Sequence, residues 1–282
     1  MKKLSGLAIA EKVKKEIADK LKGKERKPCL AIILVGRRYD SQLYVKLKKK
    51  AAAEVGIKIK TYRFKKNSRQ ADVLNLIDIL NNDENVDAIL VQLPLPAGYN
   101  ANEVVSRIKP EKDADGFHPK NLKKISDGKA FEQLTMPPVF GAVIEFLKKA
   151  GCPVKNKKIL ILANSDIFGK NLEKMLKYKG ALPIRSKIGC SSFKKEISQA
   201  EVIISAIGQP NLFATNELRD GAVVIDIGIT KKGKRVVGDF DASSLVGKKG
   251  FFTPVPGGVG PVTIAMLLKN TLFLYEKGRT KR

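Results

Sequence analysis

The chain has no tryptophan, one histidine and three cysteines in 282 residues. Each scarcity removes a class of chemistry. With His118 alone, a two-histidine metal site and a serine–histidine triad are set aside, and no metal is expected. Cys29, Cys152 and Cys190 are scattered and odd in number, which argues against a disulfide framework and fits a reducing cytoplasm. They also lack the spacing of zinc ligands. No apolar run reaches the roughly 18 residues of a membrane-spanning helix, so no membrane partner is expected. The first ten residues look faintly like an export signal. Glu11 and the lysines after it break the apolar stretch, so export is not expected.

Acidic residues are also few. There are 28 Asp and Glu against 54 Lys and Arg, a net charge of +26. Nucleic-acid binding by phosphate neutralisation is one reading of that excess. The lysines are spread along the whole chain, mostly on helical stretches, with no finger, homeodomain or ribonucleoprotein motif. No specific nucleic-acid partner is therefore expected, although anionic small ligands will be attracted.

Apolar residues make up 43% of the chain, enough for a real core, and the length allows one large or two ordinary domains. Runs rich in Ile, Val and Leu alternate with helical patterns. Strands are expected at Cys29–Val35, Ile57–Phe64, Ala88–Leu93, Lys158–Leu162, Val202–Ile207 and Ala222–Ile227. Helices are expected at Leu4–Leu21, Ser41–Val55, Ala71–Leu80, Val139–Ala150, Gly169–Tyr178 and Thr263–Tyr275. Continuous apolar strands belong to sheets covered on both faces, and their alternation with helices indicates a parallel α/β architecture. A domain boundary is expected near residues 135–157.

Residues 253–263, Thr-Pro-Val-Pro-Gly-Gly-Val-Gly-Pro-Val-Thr, are too rich in glycine and proline for a helix or strand interior. They read as a stiff, bare loop, either plain punctuation or a surface for a flat ligand. Pro261 suits the first position of the helix that follows. A strand, a tight loop and a helix at 157–180 would put a pyrophosphate at a helix N-terminus, although Gly169 is the sole remnant of a Gly-x-Gly-x-x-Gly pattern. Strands ending Ser-Ala-Ile-Gly208 and Ile-Asp-Ile-Gly228 repeat the small-residue turn. About twenty residues beyond the loop stand Arg185, Ser186 and Lys187 rather than a carboxylate, which favours a 2′-phosphate and so NADP over NAD.

The first half carries different chemistry. Tyr44 and Lys48 share a helix face one turn apart, and form either an acid/base pair or a surface lysine beside a core tyrosine. Lys46, Lys49 and Lys50 should ease proton loss from Lys48. Gln92 interrupts a buried-looking strand, as a structural hydrogen bonder or a ligand reader. Asp115 precedes Gly116 in a turn.

Six segments together resemble one family, the bifunctional methylenetetrahydrofolate dehydrogenase/methenyltetrahydrofolate cyclohydrolases. They are Ser41–Lys48, Val91–Pro96, Lys112–Phe117, Gly221–Gly228, Gly238-Asp239 and Pro254–Thr263. The resemblance implies an N-terminal parallel α/β folate domain (1–138) rejoined by a C-terminal helix (258–282). It also implies a Rossmann-like, doubly wound NAD(P)-binding domain (139–257). Lys48 would be the catalytic lysine and Tyr44 would stack on the folate. Gln92 would support Lys48 or bond near the one-carbon bridge, Asp115 would hold the pterin, and Pro256 and Gly257 would line the slot. Cofactor contacts are expected at Ala163, Asn164, Ser165, Ile167, Arg185, Ser186, Gly208, Ile229, Gly260 and Thr263. The implied substrates are a tetrahydrofolate derivative and NADP, with NAD open, in a cytoplasmic homodimer. The implied chemistry oxidises 5,10-methylenetetrahydrofolate and then hydrolyses the methenyl product to 10-formyltetrahydrofolate.

The chain departs from the family pattern on the dinucleotide side. It has Ala163-Asn-Ser165 for Gly-Arg-Ser, Asn171 for a proline, Met136–Gly141 for a Pro-Cys-Thr-Pro-x-Gly entrance, and a shortened 180–186 segment. A lost arginine contact would fall to Arg185. The alternatives are a cyclohydrolase with weak or NAD-preferring dehydrogenase activity and a basic nucleic-acid-binding Rossmann-like protein.

Overall fold

A computed structural model describes residues 1–127, 135–233, 235–243 and 248–280. The chain begins β1 (Lys2–Lys3), α1 (Leu7–Leu21), β2 (Cys29–Val35), α2 (Tyr39–Val55), β3 (Lys58–Phe64), α3 (Gln70–Asn82) and β4 (Ala88–Val91). Then come α4 (Ala101–Arg107), α5 (Pro119–Ser126), α6 (Pro138–Lys149), β5 (Lys158–Ala163), α7 (Asp166–Tyr178), β6 (Leu182–Ser186), α8 (Phe193–Gln199) and β7 (Val202–Ala206). It continues β8 (Phe213–Ala214), β9 (Val223–Asp226), β10 (Thr230–Lys232), β11 (Arg235–Val237), β12 (Phe240–Asp241), β13 (Phe251–Phe252) and α9 (Val259–Thr280). No helix among the described residues is long and apolar enough to cross a membrane.

Contacts divide the chain into two compact units, Ala10–Pro138 with Ile264–Arg282, and Met1–Ile9 with Val139–Thr263. The first nine residues, expected with the folate half, thus group with the other unit. Their backbone explains why. Strand β1 pairs in parallel with β13, Leu4 N–H donates to Phe252 O, and Gly6 N–H donates to Gly257 O at 2.9 Å.

The unit of residues 10–138 and 264–282 is built on a parallel sheet in the order β3-β2-β4. All seven residues of β2 are buried, as a central strand requires. Ala31, Ile33 and Val35 pack with Val73, Ile77 and Leu80 of α3 and with Ile89 and Val91 of β4. Each of the Val, Leu and Ile side chains among them contributes about 1.5–3 kcal/mol by leaving water. The C-terminal part of α9 belongs here: Asn270 Nδ2 donates to the carbonyls of Ala114 (2.9 Å) and Met136 (2.8 Å), and the Tyr275 hydroxyl donates to Arg26 O.

The second unit carries a six-stranded sheet, β1-β13-β9-β7-β5-β6, with every pairing parallel. β6 lies on one side of β5 and β7 on the other. The connections therefore reverse direction at β5, and that reversal opens a crevice beyond the carboxyl ends of β5 and β7. This is the doubly wound fold expected from the sequence.

Strand β6 and helices α4, α5 and α8 are absent from the sequence reading. Pro183 argues against a strand, yet β6 is an edge strand, where a missing N–H is tolerated. Helix α7 begins at Asp166 rather than Gly169, with the Ser165 side chain accepting from Phe168 N–H. Helix α9 begins at Val259, so Pro261 is its third residue rather than its first. A proline is still tolerated there, because first-turn N–H groups have no intrahelical acceptor.

Candidate functional site

Helix α2 buries Ser41, Val45, Lys48, Ala52 and Val55, a stripe at alternating four- and three-residue spacing. Lys48 therefore occupies a core position and is 8% exposed. Its Nζ donates to Gln92 Oε1 at 2.8 Å. Gln92 follows the last residue of β4. Its own N–H donates to Ile33 O and its Nε2 donates to Leu93 O, so the amide is held at both ends with its oxygen toward the lysine. Burial pulls the Lys48 pKa down to about 8, and the negative charge of Asp115 opposes the fall. Lys46, Lys49 and Lys50, expected to assist, are exposed, and desolvation lowers the pKa instead.

Asp115 comes from a segment laid along β4. Ile89 N–H donates to Lys112 O, and Ala114 N–H donates back to Ile89 O. The turn after it is fixed by Asp113, which accepts from Gly116 N–H (2.9 Å), His118 N–H (2.9 Å) and Asn121 Nδ2 (3.0 Å). Gly116 is required: its φ is +69°, and a Cβ there would stand 2.6 Å from Pro137 N. The Asp115 carboxyl is pushed up to about 6, chiefly by burial and further by Asp113, against the pull of Lys48. Tyr44, one turn before Lys48, is half-buried, and burial with Asp40 raises its phenol pKa, so it stays neutral. The four chemical residues read from the sequence thus fall in one unit, with Lys48 bonded to Gln92 and coupled to Asp115. Sequence reasoning missed Asp113. Its signal was the Asp-x-Asp spacing, in which successive alternate residues of an extended segment share a face.

The expected dinucleotide residues fall in the other unit. Ala163 ends β5 and Asn164 and Ser165 follow it, Gly208 follows β7 and Ile229 follows β9, all at carboxyl ends of strands. Asn164 Nδ2 donates to Ile207 O (3.0 Å) and Thr230 Oγ1 donates to Gly208 O (2.8 Å), so the three loops are tied together. Ile167 and Ile229 are exposed apolar side chains there, at 39% and 42%. Arg185 and Ser186 end β6, where Ser186 Oγ lies 3.2 Å from Cys190 Sγ. Pro256 and Gly257, expected to line the folate slot, lie in the loop before α9 and group with this unit rather than with Lys48 and Asp115. Gly257 has φ +92° and nothing within 4 Å of where a Cβ would be, while a Cβ on Gly258 would strike Pro254 O. Gly260 and Thr263 lie in the first turns of α9, Thr263 Oγ1 donating to Val259 O.

Two aspartates organise these loops, and neither is among the expected site residues. Asp239, fully buried, accepts from Ser205 Oγ and from the N–H groups of Ile207, Gly208 and Gln209. Asp226 accepts from Gly228 N–H and Phe240 N–H. A Cβ on Gly228 would stand 2.0 Å from Asp239 Oδ1, and one on Gly238 the same distance from Asp226 Oδ2. Each carboxylate thus lies against a glycine beside the other. The Asp226 carboxyl is raised to about 7 by burial and by Asp239.

The fold and the two sites define a two-unit α/β protein, one unit holding a desolvated lysine and the other a doubly wound dinucleotide-type sheet. The family profile described as the tetrahydrofolate dehydrogenase/cyclohydrolase catalytic domain matches residues 4–115, and its NAD(P)-binding domain matches residues 137–279. The chain belongs to the tetrahydrofolate dehydrogenase/cyclohydrolase family. It is 40% identical over 281 residues to a bifunctional protein FolD of Campylobacter concisus, covering 98% of each chain. A crystal structure of the bifunctional FolD enzyme of Campylobacter jejuni superposes with a TM-score of 0.90 at 38% identity, covering 99% of this chain and 98% of that one. The Trypanosoma brucei enzyme, complexed with NADP cofactor and inhibitor, superposes with a TM-score of 0.92 at 33% identity, covering 99% and 98%.

Proposed function

We propose that the protein oxidises 5,10-methylenetetrahydrofolate with NADP and hydrolyses the resulting methenyl compound to 10-formyltetrahydrofolate. The observation that carries this reading is the buried Lys48–Gln92 pair beside Asp115, within a chain of this family. When bound, the nicotinamide supplies a hydride acceptor for the one-carbon bridge. The loops after β5, β7 and β9 suit it, because they are tied together and expose Ile167 and Ile229 at the crevice.

Lys48 handles the protons of the hydrolysis. Water adds to the cationic one-carbon centre, the bond from that carbon to N5 opens, and one proton is released overall. An amine with a pKa near 8 is partly neutral in the physiological range and can take that proton. The neutral form also avoids repelling a cationic substrate. Gln92 holds the amine in place, and Asp115, mostly ionised at neutral pH, offers a carboxylate to the amino and ring N–H groups of a pterin. On the family resemblance, the working unit is a cytoplasmic homodimer, which sedimentation and cell fractionation would test.

The test is direct. Purified protein is mixed with methylenetetrahydrofolate and NADP, and methenyl absorbance is followed. Methenyl compound is then supplied alone. The reading requires the first mixture to form methenyl compound and the second to lose it. Failure of both refutes the reading, and activity in the second alone reduces the protein to a cyclohydrolase.

A further inference from the structure

Arg185, the cation expected to meet a 2′-phosphate, is already engaged. Its Nε donates to Glu173 Oε2 at 2.7 Å and its Nη1 to Asp166 Oδ1 at 3.2 Å. The side chain lies across Gly169: a Cβ there would stand 3.4 Å from Arg185 Cδ. Gly169 therefore serves the packing of arginine over α7, a use that the sequence pattern did not show. Asp166 also pairs with Lys170 at 2.8 Å, and Glu173 with Lys177 at 2.7 Å. The five side chains form an alternating string of charges at the carboxyl end of β6.

The two carboxylates differ. The Glu173 side chain is 21% exposed and orients the guanidinium through Nε. The Asp166 side chain is 69% exposed and takes Nη1, on the side open to solvent. A phosphate approaching Arg185 can displace Asp166 while Glu173 keeps the fork in place. It must also approach a fixed negative charge at the first residue of α7. Asn164, where the family pattern has arginine, is spent on Ile207 O and offers no second cation.

We propose that Asp166 sets this chain's discrimination between 2′-phosphorylated and unphosphorylated dinucleotides, by competing with the 2′-phosphate for Arg185. The inference rests on the dinucleotide site of the proposed function and assigns the residue that tunes it. Glu173 acts as the positioning residue for the guanidinium. The consequence is a weaker preference for NADP than Arg185 would confer if it were free.

The test isolates the 2′-phosphate. The full-length protein is titrated calorimetrically with adenosine 2′,5′-bisphosphate and with 5′-AMP, in parallel with Asp166→Asn and Arg185→Gln, each checked for folding by circular dichroism. Asp166→Asn should tighten the bisphosphate about threefold to fivefold, the upper scale of one exposed charge interaction, and leave 5′-AMP within about twofold. Arg185→Gln should weaken the bisphosphate by about tenfold or more, the loss of a charge-assisted hydrogen bond. Saturation with NADP and NAD should then show the KM ratio moving the same way. If Asp166→Asn changes both ligands equally or neither, or if Arg185→Gln leaves the bisphosphate unchanged, the inference is overturned and the proposed function stands. If the unaltered protein binds neither nucleotide, the inference is overturned. If it also forms no methenyl compound with either cofactor, the proposed function falls with it.

Discussion

Lys48 and Asp239 are both buried and both ionisable, and the two units treat them in opposite ways. Lys48 Nζ donates to Gln92 Oε1, in surroundings that pull its pKa to about 8. Asp239 accepts from four donors, one hydroxyl and three backbone N–H groups. A buried charge needs hydrogen bonds to replace its water. Where they are supplied in full, the group is architecture, and here the Asp239 carboxyl shapes the loop that follows β7. Where they are few, the charged form is held poorly, and the proton becomes available for chemistry. The contrast separates the proposed reacting group from a scaffolding group.

The sharpest attempt to break this contrast is Lys48→Met. Hydrolysis of added methenyl compound should fall by about 10²–10⁴-fold, the usual contribution of a positioned acid/base group. The fold should be equally or more stable, by roughly 1–3 kcal/mol, because an apolar side chain of similar length replaces a desolvated amine. The sign follows from the lowered pKa. Between about pH 8 and 10.5 the folded protein binds less of this proton than the unfolded chain. The gain is therefore full below pH 8 and shrinks as pH rises toward 10.5. In the unaltered enzyme, kcat/KM for hydrolysis, corrected for the uncatalysed reaction, should climb with pH and level off above about 8. A variant both active and less stable would put Lys48 among the scaffolding groups.

The mirror experiment is Asp239→Ala. It leaves the Ser205 hydroxyl and three loop N–H groups without their acceptor. The Ser205 hydroxyl is fully buried and orphaning it costs about 1–3 kcal/mol, while the three N–H groups lie at part-buried positions where water can replace part of the loss, so urea unfolding should show a loss of about 2 kcal/mol or more. Gly228→Ala should act through the same carboxylate, since its Cβ would stand 2.0 Å from Asp239 Oδ1. Overpacking of that kind costs about 1–3 kcal/mol. Unchanged unfolding midpoints for both variants would remove Asp239 from the architecture.

The same contrast governs what could be read beforehand. Lys48 was singled out because Tyr44 and Lys48 share a helix face, but that spacing left a surface lysine open, and only the family resemblance gave it a chemical role. Its partner Gln92 was legible as the one amide in an apolar strand. The cause of its shifted pKa was not legible, because neighbouring lysines are visible in sequence and burial is not. Asp239 was illegible as an organiser, since its partners lie about thirty residues away in β7 and the loop after it, and Asp226 shares that difficulty through Phe240, whereas Asp113 bonds within its own segment and only its Asp-x-Asp spacing hinted at it. The Asp166–Arg185 pair joins α7 to β6 and emerges only when those elements are side by side. Long apolar strands announced the sheets, whereas β6 was hidden by Pro183, and two-residue strands such as β1 and β13 are too short to have a period.

The smallest expected effect sharpens the contrast within one unit. Asp226 accepts from the N–H groups of Gly228, Asp239 and Phe240 where Asp239 accepts from four donors, and its carboxyl is raised to about 7. It is the less satisfied of the two buried aspartates. An acid with a raised folded pKa holds its proton in the folded state while the unfolded chain has already released it. Its contribution to stability therefore declines as pH rises from about 4 to about 7 and stays at the lower level above that. Asp226→Asn removes this decline because an amide does not titrate. The difference in melting temperature between the variant and the parent chain, measured from pH 4 to pH 8, should move in the variant's favour by a few degrees as pH rises. A difference that stays flat with pH would mean that Asp226 is ionised throughout. The two carboxylates would then be equal as scaffolding, and the count of donors would not be what distinguishes them.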